Sequence, residues 1–201
     1  MANNVKVILI GGSPMIGKTT LATELALKYR YNCISTDDIG EIVQTIIDIN
    51  PMKDFDYREY YIKNSVEKLI KETLKYHKEI WKPIKHLIEI HSEWSNPIII
   101  EGWALYPKLL RNIDKSNIKC LWLIAGENVL EKRILDKKEF YKGASNKEKM
   151  ISNYLKRSKW HNKKIYDEVV ELDDDYIMID KDLTKEELVD KAMQLLSGNS
   201  E

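Results

Sequence analysis

The sequence carries no excess charge of either sign and has no long hydrophobic run. Lys and Arg together number 32, as do Asp and Glu, so the formal net charge is zero. Proteins that bind nucleic acids or membrane surfaces through charge usually carry a basic excess, so this balance argues against both partners. No apolar run approaches the roughly 18 residues that span a bilayer, and the stretch 5–10 is too short for a signal peptide. We therefore expect a cytoplasmic protein.

Cysteine and arginine are also scarce. The two cysteines, Cys33 and Cys120, lie in separate apolar segments without the spacing of a zinc or redox motif, so we expect two buried thiols. The 201 residues are 43% hydrophobic, which suffices for the core of one domain without metal or disulfide support. We expect one domain over 1–201.

Short β-branched segments alternate with helical patterns along the chain. Helices are predicted over 19–30 and 184–196, and strands over 5–10, 32–36, 98–100, 118–125 and 176–180. Strands that alternate with helices form parallel sheets covered on both faces. The pattern predicts an α/β fold with three layers, α/β/α, around a five-stranded parallel sheet.

A glycine-rich motif follows the first strand and opens the first helix. It consists of Gly12, Ser13, Pro14, Met15, Ile16, Gly17, Lys18 and Thr19, followed by Thr20. In such a loop the backbone amides and the helix N-terminus surround phosphate oxygens, the lysine reaches the β- and γ-phosphates, and the hydroxyl ligates Mg²⁺. The motif predicts a nucleoside triphosphate site of the P-loop NTPase type, with ATP and Mg²⁺ as cofactors.

Carboxylates follow two of the predicted strands. Asp37 and Asp38 come after the second strand, and Glu101 comes after the third. Ligands of open α/β sheets lie outside the carboxyl ends of the strands, so these groups are expected to face Lys18. We assign Asp37 to accept the proton of an attacking hydroxyl, with Asp38 as its substitute, and Glu101 to hold Mg²⁺ directly or through water. The alternative for Asp38 is a helix cap before Ile39.

Two of the five arginines flank a lysine-rich segment after the fourth strand. Arg133 and Arg157 lie on either side of the lysine-rich residues 137–147. We interpret the region 134–160, which contains these residues, as a mobile lid. Guanidinium groups bind phosphate oxygens in a bidentate manner, and a closing lid excludes water from the transfer. The alternative is a solvated helix pair.

Residues 41–95 form a helical insertion between the second and third strands. The segment is rich in Lys, Glu and aromatic residues, and Pro51 and Pro83 are expected to interrupt it. It lies where an acceptor pocket would have to form, between Asp37 and Glu101. Its histidines lack the spacing of metal ligands and are interpreted as structural or surface residues.

The order of these features resembles that of the small P-loop kinases of the adenylate kinase-like group. The segment 130–134, Leu-Glu-Lys-Arg-Ile, looks like the start of their lid. The resemblance implies that Arg133 packs against the adenine and that Arg157 contacts the phosphates.

A closer resemblance is to the kinase domain of the 2-phosphoglycerate kinase family. Three strings carry it: Gly-Gly-Ser-Pro at 11–14 with Gly-Lys-Thr at 17–19, Ser-Thr-Asp-Asp-Ile at 35–39, and Ile-Ile-Glu-Gly at 99–102 followed by Leu105 and Pro107. Our leading hypothesis is an ATP-dependent kinase acting on a hydroxyl of a small molecule. The alternatives are a nucleoside monophosphate kinase and an NTP-binding regulatory module without efficient transfer.

Overall fold

The computed structural model describes residues 5–49, 56–126, 128–180 and 183–198. Five parallel strands form one sheet in the order β2-β3-β1-β4-β5. Their bounds are β1 Val7–Gly12, β2 Asn32–Ser35, β3 Ile98–Gly102, β4 Ile118–Ala125 and β5 Tyr176–Ile179. The α/β class and the parallel sheet expected from the sequence are confirmed.

Helices cover both faces of the sheet. They are α1 Lys18–Tyr29, α2 Thr36–Gln44, α3 Tyr57–Lys63, α4 Val66–Glu93, α5 Val129–Asp136, α6 Lys138–Tyr141, α7 Lys147–Leu172 and α8 Lys185–Ser197, with a short 3₁₀ helix at Pro107–Leu110. Within the described ranges, none of these helices is both long and apolar enough to cross a membrane.

The central strand β1 divides the hydrophobic core into two layers. Val7 and Leu9 point to the core under α4 and α7, whereas Ile8 and Ile10 point to the core under α1 and α8. All four side chains are at most 1% exposed, because β1 pairs with β3 on one side and with β4 on the other. This burial on both faces explains the continuous apolar run in the sequence and fixes the loop after Gly12 at the centre of the sheet edge.

The insertion differs from the sequence prediction at Pro83. Pro83 was expected to interrupt it but lies inside the 28-residue helix α4. The buried stripe of Ile80, Ile84 and Ile88 runs through that position, so packing on the sheet outweighs the missing hydrogen bond at the proline. Pro51 lies outside the described residues.

Helix α2 begins at Thr36, three residues before the helix start at Ile39 that the sequence suggested. Ser35 caps it, because its Oγ accepts hydrogen bonds from the amides of Asp37 and Asp38. The Asp38 carboxylate accepts in turn from the Ser35 amide at 3.4 Å, which completes a capping box. Cys33, expected to be buried, is exposed on the edge strand β2.

A third apolar cluster joins α3 to the segment that the sequence suggested as a lid. Tyr60 and Tyr61 of α3 pack with Tyr141, Met150 and Tyr154 of α6 and α7. The Tyr57 hydroxyl donates to the Phe140 carbonyl at 2.6 Å, and the Ser145 amide donates to the Glu59 carboxylate at 3.1 Å. Residues 138–145 therefore lie against α3 in this structure, and their function as a lid remains a prediction.

The end of β3 leaves no room for a side chain at Gly102. A Cβ atom there would come within 1.7 Å of the Thr36 Oγ1, and Thr36 is fully buried. We predict that Gly102→Ala lowers the free energy of unfolding by about 2–4 kcal/mol, because the buried Thr36 side chain must move to relieve the clash. Urea unfolding followed by circular dichroism measures this difference.

Gly143→Ala is the matched control, since no atom lies within 4 Å of the Cβ position at Gly143. Its cost should be about 1 kcal/mol, from the positive φ of 86° alone. Equal losses in the two variants would contradict the packing described for Gly102.

Candidate active site

The loop after β1 presents free backbone amides at the N-terminus of α1. Met15 has a φ of 64° and Gly17 a φ of 101°, so the chain curls back before the helix begins at Lys18. Within the described part of the chain, the backbone amides of residues 15–19 donate no hydrogen bond. Such amides, together with the helix dipole, form a binding site for phosphate oxygens.

Gly12 fixes the close packing of this loop on the sheet. A Cβ there would lie 2.3 Å from the Leu123 carbonyl oxygen and 2.7 Å from the Ile16 side chain. Ile16 itself is fully buried in the core under α1, so only its backbone can contact a ligand. Pro14 is half-buried, and Thr20, the third residue of α1, is exposed.

Lys18 is a nearly buried ammonium that faces two carboxylates. It is 7% exposed, and its Nζ donates to the Ser13 carbonyl at 2.8 Å. Burial lowers the pKa of Lys18 to about 8, while Glu101 and Asp37 act against that shift because they favour the charged form. Lys18, Glu101 and Asp37, all predicted from the sequence, thus lie close together at one edge of the sheet.

Thr19 and Glu101 form a direct pair. The Thr19 hydroxyl donates to the Glu101 Oε1 at 2.8 Å. Burial raises the pKa of Glu101, and the Lys18 charge and the Thr19 hydrogen bond oppose this shift. A hydroxyl beside a carboxylate is an oxygen donor set that suits Mg²⁺, which keeps several waters and phosphate oxygens as its other ligands.

The two aspartates after β2 have different surroundings. The Asp37 Oδ1 accepts a hydrogen bond from the Trp103 Nε1 at 2.8 Å. Asp38 belongs to the capping box of α2, although its charge, like that of Asp37, contributes to the raised pKa of Glu101. Asp37 is thus held by a side chain of the site, whereas Asp38 is held by the backbone of its own helix.

Arg133 contacts the back of the phosphate loop. It lies on α5, and its Nη1 donates to the Met15 carbonyl at 3.0 Å. The same Nη1 would be 3.7 Å from a Cβ atom at Gly17. The structure therefore places Arg133 beside the loop.

Arg157 lies inside helix α7 in a cage of aromatic rings. The guanidinium carbon is 4.7 Å from the ring centre of Trp103, 4.9 Å from that of Tyr61 and 5.3 Å from that of Tyr154. Although Arg157 is only 7% exposed, no carboxylate of the described residues pairs with it. A buried guanidinium without a counterion favours an anion beside it.

Two histidines, His77 and His161, lie behind this cage, and both are 1% exposed. The burial of His77 agrees with its interpretation as a structural residue, whereas the sequence prediction did not include His161. Burial lowers the pKa of His161 to about 3 and also lowers that of His77. The His77 Nδ1 and the Tyr106 hydroxyl are 2.8 Å apart, and the His77 ring meets Trp103 edge to face at 4.3 Å. No spacing in the sequence signals these contacts, because His77 lies on α4 whereas Trp103 and Tyr106 follow β3.

Comparison with known proteins identifies the fold. No family model matches the chain, and a search of curated proteins found no match. A sugar kinase from Janibacter sp. HTCC2649 superposes with a TM-score of 0.58 at 18% identity, over 96% of this chain and 95% of the other.

Two further solved structures give the same result. Shikimate kinase from Acinetobacter baumannii has a TM-score of 0.54 at 14% identity, covering 98% of this chain and 95% of the other. A gluconokinase from Sinorhizobium meliloti 1021 has a TM-score of 0.53 at 13% identity, covering 98% and 93%. The chain has the P-loop kinase fold that these proteins share.

The buried neutral histidines predict a loss of stability in mild acid. Because the pKa of each is lower in the folded than in the unfolded protein, only the unfolded chain binds protons as the pH falls below about 6.5. Each histidine should then lower the free energy of unfolding by about 1.4 kcal/mol per pH unit. Urea unfolding between pH 7.5 and 5.0 measures this slope.

His161→Gln should remove about half of the slope attributed to the two histidines. The raised pKa of Glu101 acts with the opposite sign in both proteins, so the comparison with wild type cancels it. An unchanged slope in the variant would contradict the burial of a neutral His161.

Proposed function

We propose that this protein is an ATP-dependent kinase that transfers the γ-phosphoryl group to a hydroxyl of a small molecule. The observation that carries the proposal is the convergence of Lys18, Glu101 and Asp37 at the carboxyl edge of the sheet, next to free loop amides. The shared fold with the sugar, shikimate and gluconate kinases supports the same class of reaction. We place this activity in the cytoplasm.

The nucleotide phosphates would lie on the amides of residues 15–19 and on the Lys18 ammonium. Lys18 now contacts the Ser13 carbonyl, so its Nζ would turn from that oxygen to the phosphates. Arg133 flanks this loop and would provide a second cation, or a flat surface for the adenine, on the side of Met15.

Magnesium would be held by the Thr19 hydroxyl and, directly or through water, by the Glu101 carboxylate. The 2.8 Å hydrogen bond between them supports this assignment, because both oxygens already point to one place. When bound, the ion supplies charge neutralisation at the β- and γ-phosphates. Glu101 lies close enough to Lys18 to influence its pKa, so metal and lysine would act on the same phosphates.

Asp37 would act on the acceptor. Its Oδ1 is occupied by the Trp103 indole, which leaves Oδ2 to accept the proton of the acceptor hydroxyl. The acceptor oxygen then forms a bond to the γ-phosphorus while the bond from that phosphorus to the β–γ bridging oxygen breaks, and ADP departs. The products are ADP and a phosphate ester, with the proton on Asp37.

Arg157 would neutralise anionic oxygens between the two substrates. It is nearly buried, lacks a carboxylate partner in the described chain and stacks on Trp103, whose indole binds Asp37. Residues 137–147, packed on α3, would close this side against water. The acceptor pocket would then lie between Asp37, Trp103 and Tyr61, and 2-phosphoglycerate is the first acceptor to assay.

Two alternatives have less support. A nucleoside monophosphate kinase needs cations in the insertion, but Arg58 pairs with Asp56 at 3.0 Å and stacks on Tyr57. A regulatory module without transfer needs no proton acceptor, yet Asp37 is held in place by Trp103. The regulatory alternative is tested by the variant described next.

Asp37→Asn should lower kcat by about 10²- to 10⁴-fold, because an amide cannot accept the hydroxyl proton. The affinity for Mg·ATP should stay within about threefold of wild type, since Asp37 lies on the acceptor side. Steady-state kinetics and nucleotide titration measure the two quantities. Asp38→Asn in parallel decides between the carboxylates, because the larger loss of kcat identifies the proton acceptor.

Glu41→Gln is the matched control on the same helix. Its carboxylate is exposed and contacts the Gln44 side chain. The regulatory reading would gain support if Asp37→Asn hydrolysed ATP at the slow rate of wild type and neither protein phosphorylated any acceptor.

A further inference from the structure

A buried imidazole connects the phosphate loop to the wall that holds Asp37. His161 of α7 is 1% exposed, and its two ring nitrogens have partners on different elements. The Nδ1 lies 3.3 Å from the Ser13 Oγ, and the Nε2 lies 2.9 Å from the Trp103 carbonyl oxygen. One ring therefore joins the loop after β1 to the loop after β3.

The direction of these hydrogen bonds follows from elementary chemistry. A carbonyl oxygen only accepts, so the Nε2 carries the proton and donates to Trp103. The other nitrogen, Nδ1, is then an acceptor for the Ser13 hydroxyl, which also lies 3.3 Å from the Ser158 carbonyl. Both acceptors for Ser13 belong to α7, so the loop is held to that helix whichever one receives the proton.

Trp103 continues the connection to the candidate proton acceptor. Its carbonyl is bound by His161, and its indole Nε1 donates to the Asp37 Oδ1 at 2.8 Å. The indole ring is flanked by His77, at 4.3 Å between ring centres, and by Arg157, at 4.7 Å. Only three noncovalent contacts thus separate Ser13 from Asp37.

We propose that His161 is a positioning residue that fixes Trp103, and through it Asp37, relative to the phosphate loop. The inference rests on the proposed function. Phosphoryl transfer depends on the alignment of the acceptor oxygen with the γ-phosphorus, and small displacements of a positioning group lower the rate steeply. Asp37 stands on α2 and Ser13 follows β1. The strand order brings both to one edge of the sheet, and the hydrogen bonds through His161 and Trp103 link the two side chains there.

The decisive variants remove one or both of these contacts. His161→Phe keeps a ring but loses both hydrogen bonds, whereas His161→Gln keeps an amide that can donate to the Trp103 carbonyl. We expect His161→Phe to lower kcat about 10- to 100-fold with the KM for ATP changed less than threefold, and His161→Gln to recover most of the loss. Ser13→Ala combined with His161→Phe should cost less than the product of the two single effects, because the residues share one contact.

Tyr106→Phe is the matched control. It removes one hydrogen bond, to the His77 Nδ1, from the same buried cluster but leaves the bridge intact. Its ring lies 5.3 Å from that of His161, so general loosening of the cluster should affect both variants alike. Thermal unfolding of every variant shows which ones are folded, and His161→Gln provides the test if His161→Phe is not.

A readout without activity separates this inference from the proposed function. The indole N–H resonance of Trp103, assigned by its loss in Trp103→Phe, should move when Asp37→Asn weakens its hydrogen bond. The Trp103 resonance should also move in His161→Phe. In the His161→Phe background, adding Asp37→Asn should shift it less than the same substitution does in wild type. Tyr106→Phe should leave the resonance in place. If wild type transfers no phosphoryl group but these shifts occur, the proposed function fails and the link from His161 to Trp103 stands.

Two results would overturn the inference. One is a Trp103 resonance that stays in place in both His161 variants. The other is a loss of kcat in folded His161→Phe that does not exceed the loss in Tyr106→Phe.

Discussion

The buried Lys18 ammonium and the carboxylates that face it form the interaction on which the candidate site depends. Lys18 stands at the first position of α1, and the burial that lowers its pKa to about 8 is opposed by Glu101 and Asp37. These groups come from α1, β3 and α2. Helix α1 follows β1 and α2 follows β2, and the three groups meet because β3 pairs with β1 on one side and with β2 on the other. The order of the strands is therefore the physical cause of the site.

Around this charged centre the protein builds a wall of aromatic rings and neutral histidines. Trp103 is its central member, because it binds Asp37 through its indole, His161 through its carbonyl and Arg157 through its ring. A low-polarity wall strengthens each nearby electrostatic interaction, and it leaves Arg157 as a cation that lacks a carboxylate partner among the described residues. Both properties suit a site for anionic substrates.

Much of the fold and the centre of the site could be predicted from the sequence because their signals are local. The run before Gly12 is apolar since β1 is buried on both faces, and the pattern at Gly17–Thr19 fixes a loop whose function depends on its backbone. Glu101 and Asp37 followed from the rule that parallel strands end at one edge. Ser35 with Asp38 three residues later also carried a local capping signal, although the aspartates were assigned to the end of a strand.

The rest depends on contacts between distant segments. His161 meets Ser13 across 148 positions of the chain, and no periodicity reports such a pair. Pro83 remains helical because the helix around it buries a stripe of isoleucines. Helix propensity does not include the free energy of that packing. Arg157 belongs to a 26-residue helix whose many lysines suggested a loose segment, while its buried face packs on α3.

The central claim is that this site transfers a phosphoryl group to a small molecule. The most direct measurement incubates the purified protein with Mg·ATP and a pool of small metabolites, including 2-phosphoglycerate, and follows new masses by mass spectrometry. The account predicts a product one phosphoryl group heavier than its acceptor, formed by wild type and absent with Lys18→Ala. Tight ATP binding without any new phosphorylated mass would contradict it.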